Sequence, residues 1–241
     1  MAKVKYGSTV AQLSGSIGGV VYARNRGGAY IRNKTAPVQP NSVLQSESKT
    51  LFAAAVNTWT NVLAASEREG WNSYAASVSY TDVFGDTRYY SGQQRYVQCF
   101  IALTNSGGNA TLAATAPTIM TEAENVLSSS MAMEQGAAVA DDTAVLPAVT
   151  APLDVDVGDI LLVHFGTTIT QATNYFKGPY RFAAKATYAT GKAFPDVTIT
   201  DPYMRTLSSG TVVPIFWRVL KKDNRISSTA RKIVTLGAYS A

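Results

Sequence analysis

Covalent chemistry has few candidate side chains in this sequence, because histidine and cysteine each occur once, as His164 and Cys99. A Ser-His-Asp triad would have to use His164, and a single cysteine permits neither a disulfide within the chain nor a Cys/His zinc cluster. His164 lies in the apolar run 160–165, which predicts either a strand residue facing solvent or a hydrogen-bonded residue of the core. Cys99 is best interpreted as a small packing residue of a helix.

The carboxylates and glycines of the sequence form no recognisable catalytic or metal-binding pattern either. Asp154, Asp156 and Asp159 resemble calcium ligands, but the bidentate glutamate of an EF-hand is missing, so a turn leading into a strand is favoured. A glycoside hydrolase needs two carboxylates about 5–10 Å apart in a groove, and the sequence places no such pair. The glycines at 15–19 are not followed by a P-loop lysine. We therefore predict no catalytic residue, no metal site, no cofactor and no enzymatic activity.

The composition favours a protein that works within an assembly. Only 15% of the 241 residues are charged, against roughly 25% in typical soluble domains. Much of the surface must therefore be neutral and polar, which suits extracellular or closely packed proteins. No apolar stretch approaches the roughly 18 residues that cross a bilayer, and the N-terminus lacks an apolar secretion segment. We expect a soluble protein, made in the cytosol, without a membrane partner.

Charge is segregated along the chain. Residues 1–40 carry six basic and no acidic side chains, and residues 41–105 have a net charge of −1. Residues 106–176 carry eight acidic and no basic side chains, and residues 177–241 have a net charge of +8. Two interpretations remain open. Basic and acidic segments of different copies attract one another, or the acidic and basic segments of the C-terminal half fold together and cancel locally.

The segment 1–40 is predicted to form a basic, glycine-rich arm. The runs 20–23 and 29–32 favour strands, and the Asn-Arg-Gly-Gly sequence at 25–28 favours a hairpin turn between them. The following prolines, Pro37 and Pro40, favour an extended chain. An isolated two-stranded ribbon is marginal in water, so we expect the arm to become ordered against a partner.

The segment 41–105 is predicted to form a three-helix unit. The first helix is capped by Asn41 or Ser42, and Ser66 and Ser91 begin capping boxes for the second and third helices. The apolar residues keep three-four spacing and include Trp59 and Trp71, so we expect them to form a small helical core.

The remaining chain is predicted to be a linker at 106–116 followed by a β-sandwich at 117–241. About seven short strands with turns between them are typical of an antiparallel immunoglobulin-like or fibronectin-like sandwich. Pro214 should place its end of a strand at an edge or bulge. The predicted fold class is therefore α+β. The strand candidates are 130–134, 144–146, 159–165, 180–186, 196–200, 211–220 and 232–236.

The first 100 residues carry a resemblance to a known group of proteins. The Gly- and Arg-rich string at 14–32 and its sequel (Pro37, Pro40, Trp59, the segments 68–72 and 84–86, and Ser91-Gly92) are similar to proteins of tailed bacteriophages and prophages. The resemblance implies a structural component of the virion, made in the host cytoplasm. It fits a capsid decoration or cement protein, a head–tail joint protein or a tail component, and it supplies no catalytic residue.

Assembly through the arm is the function that the sequence favours. The partners would be other virion proteins and copies of the same chain. Two alternatives stay open: the residues named below form only a solvated hairpin tip, or the basic arm binds nucleic acid, as a pI near 9.2 permits. The residues predicted to contact partners are Tyr22, Arg24, Arg26, Tyr30 and Arg32.

Overall fold

The computed structural model describes residues 2–36, 38–105, 107, 115–126, 131–135, 143–152, 154–169, 175–191, 193–200, 202–203, 207 and 209–238. The fold is α+β, with helices and mainly antiparallel sheets. It divides into two compact units. We call Met1–Lys49 with Thr81–Arg88 the N-terminal unit, and Thr50–Tyr80 with Tyr89–Ala241 the main unit.

The N-terminal unit contains a four-stranded antiparallel sheet in the order β1-β4-β3-β2. Strands β3 and β4 form the hairpin that the sequence predicted. Its turn is stabilised by a hydrogen bond of 2.9 Å from the Gly27 N–H to the Asn25 side chain, and Gly28 has a φ of +105° that favours glycine. The two outer strands were not predicted. The strands are β1 (Ala2–Val4), β2 (Gly15–Ile17), β3 (Val20–Asn25) and β4 (Gly28–Asn33).

The helical segment follows the predicted order, with one difference at a cap. At the third helix, Ser91 and Gln94 exchange hydrogen bonds of 2.8 and 3.2 Å, which confirms that capping box. At the second helix the predicted cap, Ser66, is wrong, because the helix already begins at Ala65 and Ala64 makes no side-chain cap bond. The elements are α1 (Val43–Asn57), a π-helical turn (Thr58–Val62), α2 (Ala65–Ser77) and α3 (Gly92–Asn105).

The remaining strands form small sheets. β5 and β6 pair with each other, β11-β10-β14-β15 form a four-stranded sheet, β13-β8-β7 form a three-stranded sheet, and β12 pairs with β9. The strands are β5 (Ser79–Thr81), β6 (Thr87–Tyr89), β7 (Glu134–Gln135), β8 (Thr143–Leu146), β9 (Val149–Thr150), β10 (Ile160–Gly166), β11 (Tyr180–Thr187), β12 (Ala193–Phe194), β13 (Val197–Thr200), β14 (Val212–Leu220) and β15 (Ala230–Thr235).

Prolines explain two features of these ladders. The β9–β12 pairs continue the register of the β8–β13 pairs without a shift. Pro147 and Pro195 lie in the gap, where the absence of their N–H groups interrupts one longer ladder. In β14, pairing with β10 stops at Ile215, next to Pro214. Pro214 itself is buried and still pairs with Ile233 of β15, so the predicted edge is limited to the side of the strand that faces β10.

The four-stranded sheet of the main unit is buried on both faces. One face packs against the smaller sheets around Trp217, Phe165 and Phe194. The other face contributes Leu162 and Leu220 to a second cluster, which contains the helical residues Trp71, Tyr96 and Phe100. Helices and strands therefore share a core within one unit.

This grouping differs from the predicted ranges 1–40, 41–105 and 117–241. Because α3 contributes to a core with β10 and β14, the predicted helical unit and β-region belong to the same compact unit. The predicted linker at 106–116 lies mostly outside the described residues.

Candidate assembly interface

The residues predicted to contact partners lie on the β3–β4 hairpin, but on two faces. Tyr22 is opposite Ile31, and Arg32 is opposite Val21, in the β3–β4 register. Because side chains alternate along a strand and paired residues share a face, Tyr22 and Arg24 lie on one face of the sheet. Tyr30 and Arg32 lie on the other face, and Arg26 lies in the turn. The structure therefore brings the five residues onto one element without forming a single patch.

The face that carries Tyr22 is mainly apolar. Cross-strand pairs place Ala2 opposite Ile31, and Ile17 opposite Val20. None of these side chains is buried, and Ile17, on the edge strand β2, is 74% exposed. The apolar face consists of Ala2, Val4, Ile17, Val20, Tyr22, Ala29 and Ile31, with Arg24 and Asn33 at its ends.

The opposite face is more polar and more basic. Lys3 is opposite Tyr30 across the β1–β4 ladder, and Arg32 lies two residues further along β4. We call the surface formed by Lys3, Ser16, Val21, Ala23, Tyr30 and Arg32 the basic face. Lys3 and Arg32 give this face its two positive charges.

An acidic turn at residues 82–86 binds Lys3 of β1 and Lys5, which follows that strand. The Asp82 carboxylate accepts hydrogen bonds from the backbone N–H groups of Phe84 (2.8 Å) and Asp86 (3.2 Å). The Phe84 hydrogen bond has the largest effect in lowering the pKa of Asp82, and Lys3 lowers it further. The Lys3 ammonium lies 3.5 Å from the Asp82 carboxylate, and the Lys5 ammonium lies 3.0 Å from the Asp86 carboxylate.

The same turn lines a cleft of about 280 Å³ in the N-terminal unit, together with Arg24 and Arg88. The Arg88 guanidinium lies 3.7 Å from both the Asp82 and the Asp86 carboxylates, so these acids already have cationic neighbours. Arg24, Arg26 and Arg32 are exposed. The positive charge available to a partner is therefore carried by the arginines of the hairpin rather than by Lys3 and Lys5.

The N-terminal segment has no core of its own. None of the described residues between 2 and 54 is buried, and the first buried residue along the chain is Ala55. The structure exposes fifteen large apolar side chains among its described residues, and the N-terminal unit contributes eight of them. They are Val10, Leu13, Ile17, Val38, Val43, Leu44, Val83 and Phe84. A contiguous apolar surface that is left in water is typical of an interaction site, and the exposed Ile17 lies on the apolar face of the sheet.

The net charge of the protein also resides in this unit. The N-terminal unit has eight basic and three acidic residues, whereas the main unit has thirteen of each. In the main unit, the Lys221 ammonium lies 2.9 Å from the Asp159 carboxylate and 3.4 Å from the Asp154 carboxylate. The acidic and basic segments of the C-terminal half therefore cancel locally at this point, which supports the second of the two interpretations of the charge pattern.

The possible calcium loop is a turn. The Asp159 carboxylate accepts hydrogen bonds from the backbone N–H groups of Asp156 (2.8 Å) and Lys222 (2.7 Å) and pairs with Lys221. The segment leads directly into β10. Within the described part of the chain, no group of three or more His, Cys, Asp or Glu side chains is arranged to bind a metal ion.

The two singular residues lie in the main unit. Cys99 is fully buried on α3, and burial raises the pKa of its thiol, as expected for a packing residue. His164 is only 9% exposed, yet its Nδ1 has no hydrogen-bond partner. It is thus neither the solvent-facing nor the hydrogen-bonded core residue that the sequence predicted.

The outer strands β1 and β2 and the ion pairs of the acidic turn were not predicted from the sequence. The alternation of apolar and basic residues at 2–5 is a two-residue period that indicates a strand. The turn at 84–86 was recognisable, but its pairing with lysines some 80 positions away was not.

In the described residues no helix is long and apolar enough to cross a membrane. No protein-family model matches the chain, and a search of curated proteins returned no similar sequence.

Proposed function

We propose that this chain is a non-enzymatic structural protein of a tailed-phage virion, which joins the particle by docking its N-terminal unit on an acidic surface of a neighbouring subunit. It is made in the host cytoplasm and serves as a capsid decoration or cement protein, a head–tail joint protein or a tail component. The phage context rests on the resemblance of the first 100 residues. The docking step rests on one observation, the lack of any buried side chain among the described residues from 2 to 54.

The energetics favour a partner. Ordering a residue costs about 1–2 kcal/mol of backbone entropy, whereas burying a large apolar side chain stabilises the folded state by about 1.5–3 kcal/mol. The N-terminal unit leaves Val10, Leu13 and Ile17 exposed, so it gains little of this stabilisation in the free chain. A neighbouring subunit that covers these side chains would stabilise the sheet and the complex together.

The edge strand β2 and the hairpin arginines are the contacts that we assign to docking. All three residues of β2 are exposed, and an exposed edge can pair with a strand of another chain. Arg24, Arg26 and Arg32 then contact carboxylates of the partner, and Tyr22 and Tyr30 pack beside them. Such charge pairs steer association and weaken with salt.

The β-region of the main unit is proposed to be an immunoglobulin-like or fibronectin-like sandwich. Two observations support this: the three-stranded order β13-β8-β7 and the four-stranded order β11-β10-β14-β15. A fibronectin-type sandwich divides its strands in this way, with hairpins β10–β11 and β14–β15 in the larger sheet. This region would face outward from the particle or contact the next copy.

Deletion of residues 1–34 tests the docking step. We expect the truncated protein to remain folded, because none of the described residues 2–34 is buried and the ion pairs that are lost, with Asp82 and Asp86, come from the exposed Lys3 and Lys5. It should no longer be incorporated into particles, measured as copies per virion by quantitative mass spectrometry. Incorporation of the truncated protein at normal copy number would contradict the proposal.

A charge-matched pair of variants tests the arginine contacts. Replacing Arg24, Arg26 and Arg32 by Ser should reduce incorporation, and the advantage of the unaltered protein should shrink as salt rises. The control replaces Lys177, Lys222 and Arg231 by Ser, three exposed basic residues of the main unit. Equal losses in the two variants would show that net charge, rather than the hairpin, controls assembly.

Nucleic-acid binding by the same arm is the second candidate, favoured by six basic and no acidic residues in the segment 1–40. Two of these residues, Lys3 and Lys5, pair with Asp82 and Asp86, which reduces the charge available to phosphates. A salt-dependent shift of DNA mobility that the triple arginine variant loses would favour this function. Normal incorporation of that variant would support it further.

A further inference from the structure

A cavity of about 150 Å³ lies within the main unit, between α3 and the four-stranded sheet. The sheet residues that line it form two cross-strand pairs, His164 with Phe182 and Leu162 with Arg218. The residues of α3 that line it are Gln98, Ile101, Ala102 and Asn105. Because Asn105 is exposed, the cavity opens to solvent at the end of that helix.

Arg218 brings a positive charge into this cavity without a visible counter-ion. Its Nε is buried and donates no hydrogen bond. Burial alone lowers the pKa of Arg218, and no salt bridge among the described residues includes it. A guanidinium stays protonated in proteins. Arg218 is half-buried and lies 5.8 Å from the centre of the Phe216 ring, so the cavity contains a partly desolvated charge that an anion would stabilise.

His164 adds a second unsatisfied polar group. Its ring stacks on Phe216 with centroids 4.1 Å apart and meets the edge of Phe182 at 5.5 Å, which fixes its orientation. Nδ1 is buried without a partner. His164 also lines the cavity, where the one N–H of a neutral imidazole can donate a hydrogen bond to an oxygen ligand.

The remaining polar lining supplies hydrogen-bond donors. Gln98 and Asn105 carry amide N–H groups, and among the described residues no Asp or Glu lines the cavity. The C-terminal end of α3 opposes an anion with about half a negative charge, whereas Arg218 contributes a full positive charge. A volume of about 150 Å³ corresponds to roughly five water molecules, which is enough for a carboxylate or phosphate group.

We propose that this cavity binds a small oxyanion, a carboxylate or phosphate, held by the Arg218 guanidinium with His164 and the amides of Gln98 and Asn105. The anion neutralises the half-buried guanidinium and accepts hydrogen bonds from the other donors of the lining. This site lies in the main unit and is independent of docking by the N-terminal unit.

The single histidine makes the test direct, because the imidazole of the full-length protein gives one set of NMR signals. Sodium acetate and sodium phosphate are titrated separately at pH 7, with sodium chloride keeping the ionic strength constant. We expect a saturable shift of the His164 nitrogen signals with at least one of the two anions. A response no larger than that to chloride would overturn the proposal. The stronger anion identifies the preferred ligand class.

Arg218→Gln should weaken the binding at least about tenfold, because a charge-assisted hydrogen bond is lost. Arg231→Gln, an exposed arginine on the adjacent strand β15, should leave the binding unchanged. Equal affinities of the Arg218→Gln variant and the unaltered protein would also overturn the proposal. If Arg218→Gln does not fold, a double variant with Gln98→Leu and Asn105→Leu replaces it, because this variant keeps the arginine. The double variant should bind the anion more weakly than the unaltered protein, and equal binding would overturn the proposal.

Discussion

His164 has a proton affinity that is set by its surroundings rather than by its own chemistry. Burial, with a smaller contribution from Arg218, lowers its pKa to about 3. The side chain is therefore neutral throughout the physiological range, which excludes it as a cationic contact to a partner. The sequence could not predict this environment for His164. An apolar run predicts burial, but it does not predict which polar atoms the neighbouring helix leaves unpaired.

A pH-dependent loss of stability should follow from this histidine. The unfolded chain binds a proton at His164 below about pH 6.5, whereas the folded protein does so only near pH 3. Stability is therefore lost as the pH falls below about 6.5. Between pH 7.5 and 5.5 the free energy of unfolding should fall by about 1.4 kcal/mol more in the unaltered protein than in His164→Gln.

Urea unfolding at the two pH values, in buffers without carboxylate or phosphate, measures this difference. Cys99→Ala is the control, because it replaces a buried residue of α3 that does not ionise in this range. It should keep the pH dependence of the unaltered protein. An NMR midpoint for His164 near pH 6.5, or equal pH dependence in His164→Gln, would contradict the interpretation.

At the scale of elements, the edge strand β2 should control assembly without controlling stability. Ile17→Lys places a charge on the exposed edge, which opposes strand pairing and apolar contact with a partner. Because Ile17 is largely exposed, the stability of the free protein should change by less than about 0.5 kcal/mol. Incorporation into particles should fall several-fold, measured as copies per virion.

Val157→Lys is the matched control for that variant. Val157 is also exposed, at 61%, but it lies in the turn before β10 in the main unit. We expect normal incorporation of this variant. A normal copy number for Ile17→Lys would show that β2 is not the docking edge.

Local signals predicted elements well where they act within a few residues. The β3–β4 hairpin follows from its Asn-Arg-Gly-Gly turn, and the start of α3 follows from the Ser91–Gln94 capping box. The same pattern at Ser66 failed, because it lies inside a helix that begins one residue earlier. β1 and β2 depend on pairing with strands distant in sequence, and short-range patterns carry little information about such partners.

At the scale of the whole molecule, the shared core of the helices and the sheet has a testable consequence. We expect a chain that is cut by a site-specific protease, at a cleavage sequence inserted between Asn109 and Ala110, to stay associated. Leu162 and Leu220 of the sheet pack with Trp71 and other helical residues, and each buried aliphatic side chain stabilises the contact by about 1.5–3 kcal/mol. Size-exclusion chromatography in native buffer should show one peak that contains both fragments.

Elution as two separate fragments would instead favour the independent helical unit that the sequence predicted. A chain with the same insertion, left uncut, controls for the added residues. The sequence could not decide between these outcomes. The change of periodicity near 106–116 marks where helices give way to strands, whereas the packing of α3 on the sheet depends on side chains some 60 to 120 positions apart.

The lack of buried side chains in the N-terminal segment has an evolutionary consequence. Substitutions among residues 2–54 leave the core of the main unit intact, so selection for folding scarcely constrains them. Selection reaches this segment through the surface to which it binds. Relatives that share that surface should therefore keep the segment while their main units diverge. Relatives that assemble into another kind of particle should keep their main units while this segment diverges. Grafting residues 2–54 from one relative onto the main unit of another should make the recipient join the donor's particle.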